Sequence, residues 1–374
     1  MEIKDYLKNK KAIQKSILEY LNDESNMEEN YQNLINILNE DQNICEYRSE
    51  FQEFLLLLSK ISKHHQRTPD FISKITKTLL IYKTEIKQTF SNLELYKIFK
   101  NNKLILLSLI EEDIITPDRA LANAIFQLKE EKPEFFFYFF SIFKKFYQKR
   151  KRQKIEEEMK RFTQDDEELF EQKIRKGEND HYICELIRND SIDDFISHVN
   201  QKNISLSSQI EQSIFETNSY LLKNKANLIE YSAFFGSSQI FKYLYLNGAE
   251  LSPSLWLYSI HGENPEILKI LEENKIQPKD ETFIECFNES LKCHHNETAE
   301  FIRKNFIQNE SEKVLLLHSK SVNYFNYLYF PTDLTNPDIF YQLCKHNYIK
   351  IVKFLLDNSK NLNVNKIVIF LMFF

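Results

Sequence analysis

Residues able to hold a metal cluster at one place in this chain: Cys286, Cys293, His294 and His295. Thiolate and imidazole are preferred zinc donors. A closed zinc site, however, takes one pair of ligands two to four residues apart on a knuckle and a second such pair from elsewhere. Cys286 and Cys293 instead fall two turns apart on one helical face, so the spacing favours two core thiols followed by histidines that cap a turn. His64 and His65 read in the same way, as a turn ahead of Thr68. The strings G-x-G-x-x-G, G-x-x-x-x-G-K-[ST], H-E-x-x-H, C-x-x-C and G-x-S-x-G do not occur. Four glycines in 374 residues leave little material for phosphate-cradling loops. The expectation is a chain that is not an enzyme and uses no cofactor and no metal.

Two further stretches carry chemistry of another kind. Lys149-Arg150-Lys151-Arg152-Gln153-Lys154 fits a nuclear import signal or an anionic-surface patch, although acids at Glu156–Glu158 and Asp165–Glu168 follow it and favour a solvated helix face. Phe135–Phe143 runs straight into Lys144 and Lys145, the pattern of an interfacial membrane segment or of a core helix with phenylalanine on several faces. The core reading is preferred. No apolar run approaches the roughly 18 residues that a membrane-spanning helix needs. A net charge of −6 provides no global basic field, so specific nucleic-acid binding is not expected. Cys45, Cys184, Cys286, Cys293 and Cys344 are odd in number and scattered, and Met1–Lys11 is polar. Together these imply free thiols in an intracellular, cytoplasmic protein, with a nuclear location compatible with the basic run.

The elements that position these residues are helices. Glycine and proline are scarce, and apolar residues recur at helical spacing, as in Phe51, Phe54, Leu55 and Leu58. Thr68-Pro69-Asp70, Thr116-Pro117-Asp118, Asn264-Pro265-Glu266 and Asn336-Pro337-Asp338 each place a capping side chain, a proline and an acid where a helix begins. A segment from Leu228 to Ala249 returns from Leu255 to Ile276, with Gly236 aligned on Gly262. Each copy is a short apolar helix, a turn and an amphipathic helix. Such a hairpin cannot bury its apolar faces alone and must stack on neighbours.

The first copy resembles an ankyrin repeat through Ile229, Ser232, Ala233, Gly236, Ile240, Phe241, Leu244, Tyr245, Gly248 and Ala249. The second keeps Leu255, Gly262, Ile267, Ile270 and Leu271, with Asn274-Lys275 in place of Gly-Ala. Phe340–Leu356 fits as well, with Asn347 at the turn, and Ile183–Ile196, Phe283–Ile302 and Val314–Leu328 fit loosely. The strings at Ser213–Asn218, Ile229–Gly236 and His64–Phe71 resemble an expanded set of protist ankyrin proteins whose central block is a domain of unknown function.

The resemblance implies an all-α fold: a helical-hairpin solenoid of ankyrin-like repeats over 179–374, its last repeat cut short in the apolar string Ile367–Phe374. A charged helical linker, 144–178, and an α-helical N-terminal region, 1–143, precede it. The latter is either a set of degenerate repeats or a separate bundle. The implied function is a protein-interaction scaffold for an unknown protein partner. Its turn positions are Gly236, Gly248, Gly262 and Asn347. Its binding face lies on the inner helices, just before the turns, at Phe234, Phe235, Ile260, His261, Lys345 and His346. The alternatives are association with an anionic or membrane surface through Phe135–Lys154 and the apolar C-terminus, or a degenerate family member without a distinct function.

Overall fold

Ending one helix and starting an antiparallel neighbour within two residues requires one residue with positive φ, and this chain supplies it repeatedly. In the computed structural model Asp190, Gly236, His294, Phe325 and Asn347 all hold φ between 48° and 70°. At each, the next amide donates back to a carbonyl near the end of the preceding helix: Ser191 to Leu186, Ser237 to Ser232, His295 to Ser290, Asn326 to Ser321, and Tyr348 to Leu343, at 2.9–3.0 Å. These bonds use carbonyls that a helix end otherwise leaves orphaned. Gly236, Gly248 and Asn347 are left-handed as their residue types suggested.

The structure describes residues 3–23, 25–40, 44–64, 71–160, 166–307 and 313–358, the side chains of 313–318 excepted. Thr68-Pro69-Asp70 and Ile367–Phe374 lie outside them. The fold is all-α, about 71% helical; among the described residues β-pairing is limited to an isolated bridge between Gln209 and Asn227. The chain divides into two units, one made of residues 1–61 with 280–374 and the other of Ser62–Lys279. The boundaries expected at 143 and 178 are therefore not where it divides. Within the charged stretch 144–178, the first helix, Lys149–Met159, buries only Ile155. The second helix, Glu167–Lys176, buries Phe170 and Ile174 inside the second unit and ends on left-handed Gly177.

In the second unit, helices Tyr182–Arg188, Leu228–Phe235 and Leu255–Gly262 pack in succession, and so do their partners Ile192–Lys202, Ser238–Leu246 and Pro265–Glu273. The copy after Gly236 sits one residue later than the sequence alignment placed it. Glu263, not Gly262, takes the left-handed position at φ 47°, and Lys275 at 53° matches Gly248. Ile240 and Leu244 then correspond to Ile267 and Leu271, all fully buried.

Gly262 has a different task. A Cβ there would lie 2.1 Å from the Ala233 carbonyl oxygen and 2.8 Å from the Gly236 nitrogen, so only glycine lets the two inner helices touch backbone to backbone. Asn264 caps the next helix through the amides of Glu266 and Ile267, as its sequence predicts, and Asn336 does the same for Asp338 and Ile339. At the third such site the cap moves: Asp118, not Thr116, accepts from the Leu121 amide. Helices Asn92–Phe99 and Lys103–Glu111 form a hairpin, the second capped by Asn102. The phenylalanine helix Pro133–Phe143 buries Phe135, Phe136, Phe137, Phe139, Phe140 and Phe143 and is core, which leaves no apolar face for a membrane.

In the first unit, Ile284–Cys293 pairs with Asn296–Phe306, Lys313–Tyr324 follows, and Pro337–Lys345 pairs with Ile349–Asn358. The N-terminal helix Ile3–Asn22 packs on Met27–Glu40 and on the turn Tyr327–Tyr329.

The Gly262 contact gives a direct test. Gly262→Ala should cost about 3 kcal/mol or more, because backbone cannot yield to a methyl group. Gly248→Ala, at φ 92° with nothing within 4 Å of the added Cβ, should cost only ~1 kcal/mol. Urea unfolding followed by the fluorescence of Trp256, the sole tryptophan and fully buried in the same helix, reads both. Equal losses would refute the close-contact account.

Candidate functional site

The residues just before each turn were expected to face a partner, and the structure places them unequally. Phe234, Ile260 and His261 are buried, at 1%, 0% and 1% exposure. For Phe234 and His261 the physical reason is Tyr220, from the short helix Ser219–Lys223 that precedes this hairpin. Its ring lies 4.3 Å from that of His261 and 6.0 Å from that of Phe234, while His261 stacks on Phe234 at 4.8 Å. The chain covers this part of its own inner face, so these three side chains are packing residues. Phe235 is half-buried against Tyr231 and Phe234, at 4.8 and 5.0 Å. Lys345 is exposed and His346 half-buried in the other unit. Burial, with Lys60 and Lys345 nearby, pushes the His346 pKa down to about 4, so its imidazole is neutral at physiological pH.

The string Ser213–Asn218 is a lock rather than a ligand site. The Ser213 hydroxyl donates to Asp180 at 2.7 Å, the Thr217 hydroxyl donates to the Gly177 carbonyl at 2.7 Å, and Lys103 donates to the Ile214 carbonyl at 3.3 Å. Asn218 caps Ser219–Lys223, and Phe215 meets Phe170 edge-on at 5.3 Å. The motif thereby ties the helices Lys103–Glu111 and Glu167–Lys176 to the loop that carries Tyr220.

A second polar cluster lies inside the first unit, and no sequence motif announces it. Tyr6 and Tyr327 both donate to one oxygen of Glu53, at 2.9 and 2.5 Å. Glu53 is 3% exposed. Burial raises its pKa, and Lys10 and the two tyrosines oppose the shift. Lys10 is itself 3% exposed and its ammonium has no hydrogen-bond partner among the described residues. Gln14, one turn on, accepts from the Tyr327 amide at 2.7 Å, donates to Asn326 at 3.1 Å and meets Nδ1 of His294 at 2.8 Å. Lys350 pairs with buried Glu50 at 2.7 Å. The cluster joins the N-terminal helix to turns near 294, 326 and 348.

Its chemistry is that of positioning. The tyrosines are buried and next to a carboxylate, so their hydroxyls stay protonated far above the usual value and serve as donors, not as acids. The thiols are equally quiet. Burial pushes Cys184 up to about 12 and also raises Cys286. Cys286 and Cys293 share the helix Ile284–Cys293 and are fully buried. His294 is the left-handed turn residue after that helix, and His295 precedes the next one, as the sequence reading had it.

No protein-family model, no curated protein and no solved structure matches this chain.

A pH test isolates the tyrosine–glutamate cluster. Tyr6, Tyr327 and Tyr348 have raised pKa values when folded, whereas an unfolded tyrosine titrates near 10. Groups raised on folding contribute stability that is complete below about pH 10 and is lost as pH rises beyond it. Urea midpoints measured from pH 8 to 11.5 should fall above about pH 10. Tyr327→Phe should start lower by about 1–2 kcal/mol and fall less steeply. Parallel curves for variant and parent would contradict the cluster.

Proposed function

We propose that the chain is a non-catalytic protein-binding scaffold built from ankyrin-like helical repeats. The observation that carries the reading is the recurrence of one turn. At Asp190, Gly236, His294, Phe325 and Asn347 the same left-handed residue and the same backward amide bond join an inner helix to the segment that follows. Within each unit, hairpins joined in this way keep their interior for packing and leave outer faces exposed, which suits them to binding rather than to enclosing a substrate.

Several observations accord with the absence of catalysis. Tyr6, Glu53, Tyr327 and Gln14 are buried and hydrogen-bonded within the cluster, and the Cys184 thiol is held protonated. The surface offered to a partner is narrower than the repeat pattern implies. With Phe234, Ile260 and His261 covered, Phe235, Lys345 and His346 remain of the inner-face positions. The membrane alternative loses its main element, since the Phe135–Phe143 phenylalanines are core. Among the described residues no helix is long and apolar enough to cross a membrane.

Proximity labelling by the full chain, compared with a Phe235→Ala, Lys345→Ala, His346→Ala variant matched for circular dichroism and melting, tests the reading. A defined set of labelled proteins that the variant loses, with labelling down about tenfold, is the expected outcome. Diffuse labelling that is the same for both chains would remove the scaffold assignment from these positions.

A further inference from the structure

The basic run Lys149–Lys154 is absorbed neither by the helical stack nor by the core. It forms the first half of the helix Lys149–Met159, and four features of that helix are unfavourable or weak. Lys149, Arg150, Lys151 and Arg152 occupy its first turn, where the helix dipole favours acids, and no acid stands there. Glu156, Glu157 and Glu158 crowd the other end, again against the dipole. The residue before it, Gln148, provides no side-chain cap. Only Ile155 is buried along its whole length.

What holds the helix down is limited. Lys151 sits 3.2 Å from the centre of the Phe126 ring, Arg152 approaches Glu156 at 3.7 Å, and Glu158 pairs with Lys129 at 2.6 Å. Lys149, Arg150 and Lys154 are exposed and have no ion-pair partner among the described residues. Unwinding the first two turns breaks the contacts of Lys151 with the Phe126 and Tyr147 rings, one loose ion pair and the burial of Ile155. It also relieves the crowding of like charges at i, i+3 and i, i+4.

We propose that Lys149–Lys154 is a docking peptide for a protein partner with a narrow acidic groove, taken up in unwound form. Three features favour a protein groove over the other polyanions. A groove that reads six consecutive residues excludes the acids that follow at 156–158, whereas a nucleic acid or an anionic bilayer would meet them and a chain of net charge −6. Base stacking needs exposed rings, but Tyr147 packs on Phe126 and Phe140, at 5.7 and 6.2 Å, and is half-buried. Insertion into a bilayer needs an apolar face beside the cations, and the neighbouring phenylalanine helix is core.

The test uses the full chain in about 150 mM salt against three immobilised probes: polyglutamate, a single-stranded RNA homopolymer and anionic phospholipid vesicles. Two variants accompany it. Lys149→Gln, Arg150→Gln, Lys154→Gln removes three exposed charges without touching a buried atom. Gln148→Ser adds a neutral cap that stabilises the helix and leaves the charge unchanged. The expected result is binding to polyglutamate, about tenfold weaker for the triple variant and about fivefold weaker for Gln148→Ser. Preference for RNA or vesicles would overturn the acidic-groove partner. Binding unaffected by the triple variant would overturn the segment, and binding unaffected by Gln148→Ser would overturn the unwound mode.

Discussion

Everything else in this chain depends on one backbone requirement: a left-handed residue between two antiparallel helices, followed by an amide that turns back to the helix just finished. The side chain of that next residue then reaches the hairpin before it. Ser237 donates to the Ile187 carbonyl, Asn264 to Gly236, Asn326 to Leu291 and Tyr348 to Val322, at 2.5–3.0 Å. These side-chain bonds fasten each hairpin to its predecessor through backbone carbonyls at the end of the preceding inner helix. Four residues before the turn stands a small buried side chain, Ser232, Ser259, Ser290 or Ser321, which lets adjacent inner helices approach. Gly236 and Gly262 carry that approach to its limit.

Polar networks then decide which surfaces remain. In one unit, Ser213–Asn218 holds a loop whose Tyr220 covers the inner face at Phe234 and His261. In the other, Glu53, Gln14 and three tyrosines join the N-terminal helix to successive turns. Because neutral tyrosine hydroxyls and a carboxamide satisfy most of these groups, the networks set register and orientation more than they add stability. Among the described residues, the Lys10 ammonium is buried without a hydrogen-bond partner. These interiors are built for shape.

The legible part of the fold was what local chemistry dictates. Gly236 and Asn347 at the turns, Asn264 and Asn336 as caps, and the helical periodicity all follow from propensities that act over a few residues. Glu263 and Phe325 were not legible as left-handed turn residues, since each is disfavoured there and is held by the stack. That is why Gly262 drew the alignment one residue out of register. The burial of Phe234 and His261 was not legible for a different reason. The covering of His261 by Tyr220 is a contact between distant stretches that no pattern in either segment encodes. The same holds for Glu53, whose partners Tyr6 and Tyr327 come from opposite ends of the sequence.

The central claim, that the turn bonds are structural joints and not loop decoration, is tested most directly by amide hydrogen exchange under native conditions. The amides of Ser191, Ser237, His295, Asn326 and Tyr348 should exchange as slowly as those in the middle of the adjoining inner helices, through openings shared with the whole hairpin. Exchange of these amides at the rate of an exposed loop, while the helix interiors stay protected, would contradict the account.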